Sequence, residues 1–298
     1  MIAAVGWILV SILSFVISTY TEPGESSATE QALGGGNLVT GSNILILGSD
    51  LRVPGTKEPG AATSGPSRSD SILVIHAALG SVRRLSILRD SLAPVPGHGE
   101  QRINAAYAIG GPPLAIRTVE AFLGNGIRIN HVVEVNFANF PKLIDALGGI
   151  DVTLDNCIQS PPFSGQSVNL SKGSHHLDGK QALAFARVRK NRCAPTQDDR
   201  QRAARQQQVL SAMRGRITSP LHWPSDFFRG PFIAWNAPRA IKTDMGAGSL
   251  SVLFADLVTG AGNTDVLQPD PAQPFNSDNT VNVTPAERTA AVNKLLGR

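Results

Sequence analysis

Residues 70–88, DSILVIHAALGSVRRLSIL, decide the fold. Two apolar runs, 70–78 and 82–88, are separated only by Leu79–Gly80–Ser81. Short apolar runs bounded by turn residues read as buried strands, and a brief Gly-containing connection reads as a hairpin, which requires antiparallel pairing. Asn43–Gly48 (NILILG), His131–Val135 (HVVEV) and Ile150–Leu154 read as further strands. Between and after them lie helical patterns at Asn104–Ile109, Pro112–Leu123, Phe137–Leu147, Asp178–Ala186 and about Asp198–Arg214. Prolines stand where helices start and Gly148–Gly149 closes one of them, as the asymmetry of helix ends favours. Leu250–Leu257 and Pro285–Leu296 also read as helices. Strands alternating with helices, plus one hairpin, give an α/β layered domain with a mixed sheet. Residues 49–69 and 156–176 read as polar loops. Trp223, Phe227, Phe228, Phe232 and Trp235 fall in a Pro-rich connection, within a segment, 217–284, that carries no recognisable motif.

Both ends of the hairpin carry charge. Arg68 and Asp70 (RSDS) precede it and Arg89 and Asp90 (LRDS) follow it, while Asp50 and Arg52 (LGSDLR) follow the strand at 43–48. One charged residue at a strand end is ordinarily a solvated turn. Three such sets at strand ends assemble acids and arginines where α/β sheets place ligand sites. Asp50 and Asp70 are hard oxygen donors for one Mg2+, and Mn2+ satisfies the same donors. The arginines suit a pyrophosphate.

The densest charge lies further on, at 187–207 (RVRKNRCAPTQDDRQRAARQQ). If Arg187 and Arg189 lie in extended chain, both point the same way. Asp198 or Asp199 is placed to cap the helix that follows. Asp199, Arg202 and Gln206 are spaced to share one face of it. A solvated basic helix is the commoner meaning of such a run; the acids and arginines at the strand ends turn the reading toward a multiply charged phosphate ligand.

Several classes are excluded. There is no Gly-rich loop ending in GK[ST] and no Gly-x-Ser-x-Gly elbow, which argues against P-loop nucleotide hydrolysis and α/β-hydrolase chemistry. The histidines lack metal-ligand spacing, and His175–His176 read as surface residues. The formal charge of +4 is modest, and the basic helix alone does not make a nucleic-acid partner.

Ile2–Tyr20 contains no charged residue. At 1.5 Å per residue it approaches the span of a bilayer core of about 30 Å. No Lys or Arg occurs from Met1 to Leu51, and Glu22, Glu25 and Glu30 follow the apolar run. The reading is a single-pass anchor over 1–20, a linker over 21–41 and a catalytic domain over 42–298 outside the cytoplasm; cleavage after the small residues Ser26–Ser27–Ala28 is the alternative. Two cysteines, Cys157 and Cys193, in such a compartment admit a disulfide.

Taken together, NILILGSDLR (43–52), RSDSILVIHA (68–77), LSILRDS (85–91), RINAAYAIGGPPLAIRTVEAFLG (102–124), HVVEVNFANFPKLIDALGGIDV (131–152), LDGKQALAFARVR (177–189) and DDRQRAARQQQVL (198–210) resemble the LytR–CpsA–Psr family in order and spacing. Two departures are Leu88, where the family usually has proline, and Arg102, where it often has lysine. The resemblance implies an α/β/α layered domain with an apolar lipid pocket. It implies a membrane-anchored phosphotransferase that moves a glycopolymer from a polyprenyl-pyrophosphate carrier to the 6-hydroxyl of muramic acid in peptidoglycan. The polymer class is teichoic acid, capsule or arabinogalactan. Asp50, Arg68, Asp70, Arg89 and Asp90 match the early motifs, and Arg187, Arg189, Arg202 and Gln206 the late arginine cluster and its glutamine. Asp90 or Asp70 is then the general base. Pairing of Cys157 with Cys193 follows the same resemblance. The rival readings are a non-catalytic polyprenyl-pyrophosphate binder and a pyrophosphatase that uses water as acceptor.

Overall fold

The computed structural model describes residues 2–36, 38, 40–49, 69–78, 81–136, 139–162, 167–188, 190–194, 199–218, 223–259, 264–278 and 280–298. The elements run α1 (Ile2–Thr21), α2 (Ser27–Ala32), β1 (Ser42–Ser49), β2 (Ser69–Ala78), β3 (Ser81–Ile87), β4 (Leu92–Val95), β5 (Gly99–Arg102) and α3 (Ile103–Leu123). They continue with β6 (His131–Asn136), α4 (Phe140–Leu147), β7 (Ile150–Leu154), β8 (Ile158–Gln159), β9 (Asn169–Leu170), β10 (Gly173–Leu177) and α5 (Gly179–Arg187). Last come α6 (Asp199–Thr218), α7 (Trp223–Arg239), β11 (Ile241–Thr243), α8 (Ala247–Thr259), β12 (Thr264–Val266) and α9 (Pro285–Leu296). The described residues divide into two compact units: those within 24–49, 69–135 and 242–298 form the sheet unit, and those within 2–23 and 136–241 form the helical unit.

The sheet unit is built on six strands in the order β11-β6-β1-β2-β3-β12. The hairpin is as expected: β2 and β3 pair antiparallel, with Ile72 opposite Ile87. β1 also pairs antiparallel with β2, whereas β12 runs parallel to β3, so the sheet is mixed. Leu45, Leu47, Ile72, Val74, Leu85 and Ile87 form one core with Ile116, Val119 and Phe122 of α3 and Val292 and Leu295 of α9. Alternation along the strands sends the buried Ile44, Leu73 and Ile75 to the opposite face. There α8 packs on β2 and β3. The unit is therefore layered α/β/α. The two helical patterns at 104–109 and 112–123 are two helices within the range of α3: Gly110 and Gly111 leave helical geometry between them, and Gly111 takes φ 62° ahead of Pro112. Proline disfavours helical backbone in the residue before it, and glycine alone reaches this φ without strain.

Part of the expected linker is ordered. Ser26 caps α2 by accepting from Thr29 N, and Thr29, Ala32 and Leu38 are buried. Glu25, whose side chain is fully buried, accepts from Lys242 Nζ at 3.1 Å. Lys242 also reaches Glu134 Oε1 at 3.4 Å, and the Tyr107 hydroxyl donates to Glu134 Oε2. Burial pushes the Glu134 carboxyl up to about 7; Glu25 pushes the same way, while Tyr107 and Lys242 pull it down.

In the helical unit, Ile144, Ile150, Val152, Leu154, Leu177, Phe185 and Val209 form the core of α4, β7, β10, α5 and α6. The loop expected at 156–176 contains β8, β9 and most of β10. β10 pairs antiparallel with β7, and His176 lies opposite Asp151. These strands escaped the sequence reading because they are very short, or, in β10, mostly exposed until Leu177. His175 and His176 are surface residues as expected, within a strand rather than a loop. The Pro-rich connection is also corrected: 223–239 is helix α7, which keeps Pro231 and Pro238 inside it. Its partner is α1. Ser18 Oγ donates to Trp235 O at 2.7 Å, and Arg239 pairs with Glu22 at 3.2 Å while stacking over the Trp235 ring. A Cβ at Gly230 would stand 2.8 Å from Ser11 Oγ, so glycine permits this approach. Among the described residues no helix is long and apolar enough to cross a membrane. The residues read as an anchor form helix α1, which is not such a helix, with Ile8, Leu9, Ile12 and Leu13 exposed.

Candidate functional site

Strand direction gathers the first set of residues. Gly48 of β1 pairs with Ser71 of β2, and Ile72 of β2 with Ile87 of β3. β1 therefore ends, β2 begins and β3 ends at one edge of the sheet. The β1–β2 register slips at that edge: Ser71 faces Gly48 and Ser69 faces Ser49, which leaves Asp70 as the extra residue of a bulge. Bulges re-aim a side chain and are enriched beside functional sites. The Asp70 side chain, Asp50, Arg52 and Arg68 lie outside the described residues.

Arg89 and Asp90 occupy the turn after β3. Arg89 Nε lies 3.3 Å from Asp90 Oδ2, and both side chains are largely buried. Arg102 approaches the other Asp90 oxygen at 3.8 Å. The backbone of this turn is held from several directions. Ser91 N donates to Leu88 O, Ile103 N to Ser91 O and Asn104 N to Arg89 O. The last two are first-turn N–H groups of α3, whose N-cap, Arg102, provides no side-chain cap. Carbonyls of the turn thus satisfy donors that every helix start leaves over. Leu88, where the resemblance implies proline, is buried and keeps its place in the core.

The second set belongs to the helical unit. Asp178 caps α5 in a reciprocal capping box with Gln181. Arg187 is the last residue of that helix, so it is helical and not in extended chain; Arg189 lies outside the described residues. On α6, Arg202 and Arg205 are each 4% exposed. They are three residues apart and share a face. Arg205 Nη2 donates to Val188 O at 2.6 Å, tying α6 to the end of α5 beside Arg187. Burial first, and the charge of Arg202 second, push Arg205 down to about 10. Gln206 is half-buried, while Lys190 and Arg192 are exposed, as solvated side chains should be. Asp198 and the side chains of Asp199 and Arg200 lie outside the described residues.

Cys157 and Cys193 form the expected disulfide, with Cα atoms 5.9 Å apart. Asn191 reinforces it. Its Oδ1 accepts from Gln159 N at 2.9 Å and Cys193 N at 3.1 Å, and its Nδ2 donates to Cys157 O at 3.0 Å. Neither Arg205 nor Asn191 was assigned a role from sequence. The i, i+3 spacing of Arg202 and Arg205 was the available signal for the first, and Asn191 had none.

Among the described residues no group of three or more His, Cys, Asp or Glu is placed to hold a metal ion. Asp90 is a poor candidate because two guanidinium groups already neutralise it. The expected carboxylate pair for a hard cation, Asp50 and the Asp70 side chain, lies outside the described residues.

A family model described as the LytR_cpsA_psr family matches residues 17–268. The chain belongs to this family. It is 30% identical over 226 residues to a probable cell wall biosynthesis protein, LcpB, of Corynebacterium glutamicum, covering 74% of this chain and 51% of that protein. It is 38% identical over 178 residues to the polyisoprenyl-teichoic acid–peptidoglycan teichoic acid transferase TagU of Bacillus cereus, covering 59% of this chain and 51% of that one. The chain thus spans about half the length of these curated relatives. Among solved structures it shares its fold with Bacillus subtilis YwtF (TagT) with bound octaprenyl pyrophosphate lipid, at TM-score 0.60 and 22% identity, over 93% of both chains. The α/β class and mixed central sheet are those of the family's structures.

Proposed function

We propose that this chain is an extracytoplasmic phosphotransferase that moves a glycopolymer from a polyprenyl-pyrophosphate carrier to the muramic acid 6-hydroxyl of peptidoglycan. The observation that carries the reading is the arginine set of the α5–α6 junction. Arg187 closes α5, and the two largely buried guanidiniums of Arg202 and Arg205 stand on one face of α6. Like charges gathered in low dielectric favour an anion with several charges. The TagU name and the octaprenyl pyrophosphate held by TagT support that anion and that transfer.

In this reading Arg68, Arg89, Arg187, Arg189 and Arg202 bind the pyrophosphate, with Gln206 as a neutral donor. The muramyl hydroxyl attacks the sugar-proximal phosphorus. A new P–O bond forms there, the bond to the bridging oxygen breaks, and polyprenyl phosphate leaves with that oxygen. Asp90, flanked by Arg89 and Arg102, is placed to orient Arg89. Asp90 or Asp70 takes the hydroxyl proton. Asp50 and Asp70 would hold Mg2+, or Mn2+, which supplies charge neutralisation on the phosphates when bound. Positioning and neutralisation then account for most of the acceleration. The apolar, exposed side chains of α1 attach the chain to the outer face of the cell membrane. Nucleic acid has no part in this reading.

The test is to incubate the full chain with a polyprenyl-pyrophosphate-linked oligosaccharide, Mg2+ and peptidoglycan fragments, and to identify products by mass spectrometry. The reading expects polyprenyl phosphate and a muramyl phosphodiester in equal amounts. Bound lipid without polyprenyl phosphate would make the protein a binder. Polyprenyl phosphate without the phosphodiester would make it a hydrolase.

A further inference from the structure

The segment 270–283 carries no motif, yet it is fastened to the Arg89–Asp90 turn. Val281 N donates to Asp90 O at 2.8 Å, and Leu92 N donates back to Val281 O at 2.9 Å. Ser91 and Val281 form a parallel bridge. Beside it, Arg102, which flanks the Asp90 carboxylate, donates through Nη2 to Asp278 O at 3.0 Å. So one short turn, 276–281, holds both the backbone of Asp90 and the guanidinium next to its side chain.

Thr280 keeps that turn in shape. It is 2% exposed. Its backbone N and its hydroxyl both donate to Asp278 Oδ1, at 3.0 and 2.7 Å. Its hydroxyl accepts from Asn276 Nδ2 at 2.9 Å, and its carbonyl accepts from Asn276 N, also at 2.9 Å. Asn282 and Asp270 close the base of the segment, with Asp270 N donating to Asn282 O at 2.8 Å. The hydroxyl of Thr280 thus bridges Asn276 to Asp278, the residue whose carbonyl anchors Arg102. The chain of contacts runs from Thr280 through Asp278 and Arg102 to Asp90, and from Asp90 to Arg89 Nε.

We infer that the Asn276–Val281 turn is a positioning element for Arg89, with Thr280 as its central residue, so that a remote C-terminal loop sets the aim of the phosphate-facing guanidinium. This inference rests on the phosphotransferase reading for the role of Arg89, and on the contacts alone for its placement. Thr280 touches no reacting atom; it acts through the turn. A side chain of the same shape without a hydroxyl lets the turn relax and Arg89 drift, whereas serine keeps the bridge.

The experiment compares wild type, Thr280→Val, Thr280→Ser and Asn276→Ala as full chains. Four quantities are read: kcat and KM for polyprenyl phosphate release from the lipid-linked oligosaccharide, the melting temperature, and the NMR resonance of Arg89 Nε–H, assigned by its loss in Arg89→Lys. The expectation is that Thr280→Val lowers kcat about ten- to a hundredfold, the scale for misplacing a reacting-site group by about 1 Å. KM for the lipid stays within about twofold, since the other arginines retain the ground-state phosphate contacts. The Arg89 resonance moves, and Thr280→Ser restores both. Asn276→Ala gives the same pattern in weaker form and serves if Thr280→Val does not fold. An unmoved resonance, or a wild-type kcat in the folded variants, overturns the inference. If wild type releases no polyprenyl phosphate while the resonance still moves in Thr280→Val and returns in Thr280→Ser, the phosphotransferase reading fails and the positioning of Arg89 stands.

Discussion

Replacing Glu134 with Gln should remove a pH dependence of stability that the structure builds into the sheet unit. Glu134 is 2% exposed, beneath Tyr107 of α3 and between Lys242 and Glu25. Burial raises its pKa from the ordinary 4.5 to about 7. The folded protein therefore keeps a proton that the unfolded chain releases at about pH 4.5. The stabilisation is complete below pH 4.5 and is lost as pH rises through about 7. One pKa unit is worth about 1.4 kcal/mol, so the full change is about 3 kcal/mol. Glutamine has the shape of the protonated acid and cannot ionise. Urea denaturation of both proteins at pH 5, 6, 7 and 8 should show them close together at pH 5, with Glu134→Gln ahead by about 2–3 kcal/mol at pH 8. A difference that stays flat across this range refutes the reasoning, because Glu134 would then carry the same charge in both states.

Two other variants probe the helical unit. Breaking the disulfide with Cys157→Ser and Cys193→Ser frees a loop of 36 residues' separation. The chain-entropy estimate puts the loss at about 4 kcal/mol, read as a lower denaturation midpoint; Asn191 should keep the native loop in place, so the folded variant retains its far-UV circular dichroism spectrum. Arg205→Ala leaves the buried Val188 carbonyl without the donor it has at 2.6 Å, which should cost about 1–3 kcal/mol in the same denaturation assay.

Much of the sheet unit was legible because its signals are local. The run 70–88 needed only apolar length and a short turn to declare β2 and β3, and Pro112 behind two glycines announced the break in α3. The helix ending at Gly148 and the helix beginning at Pro285 carried their stop and start residues in the sequence. What escaped depends on partners far along the chain. β11 and β12 are three residues each and exist because the sheet edges receive them. α7 contains prolines that argue against a helix, but it packs on α1, which compensates for lost backbone bonds. Of the candidate site, residue identities were readable and relations were not. Nothing in LRDS reveals that Asp90 is flanked by Arg102, or that Val281 braces it from nearly two hundred residues away. Arg187 was readable as a candidate ligand but not as the end of a helix, because Val188, with φ −54° and ψ 121°, breaks the helix without Gly or Pro.

Arg187 is the residue on which the proposed transfer depends most directly. It is half-buried at the end of α5, beside the carbonyl that Arg205 fastens to α6. Its turnover of a polyprenyl-pyrophosphate-linked oligosaccharide should be compared with that of Arg187→Ala at equal protein concentration, with melting temperatures measured alongside. The expected result is a loss of about a hundredfold or more in polyprenyl phosphate release, the scale for removing a group that stabilises transition-state charge, at unchanged melting temperature. Release at the wild-type rate by Arg187→Ala would contradict it.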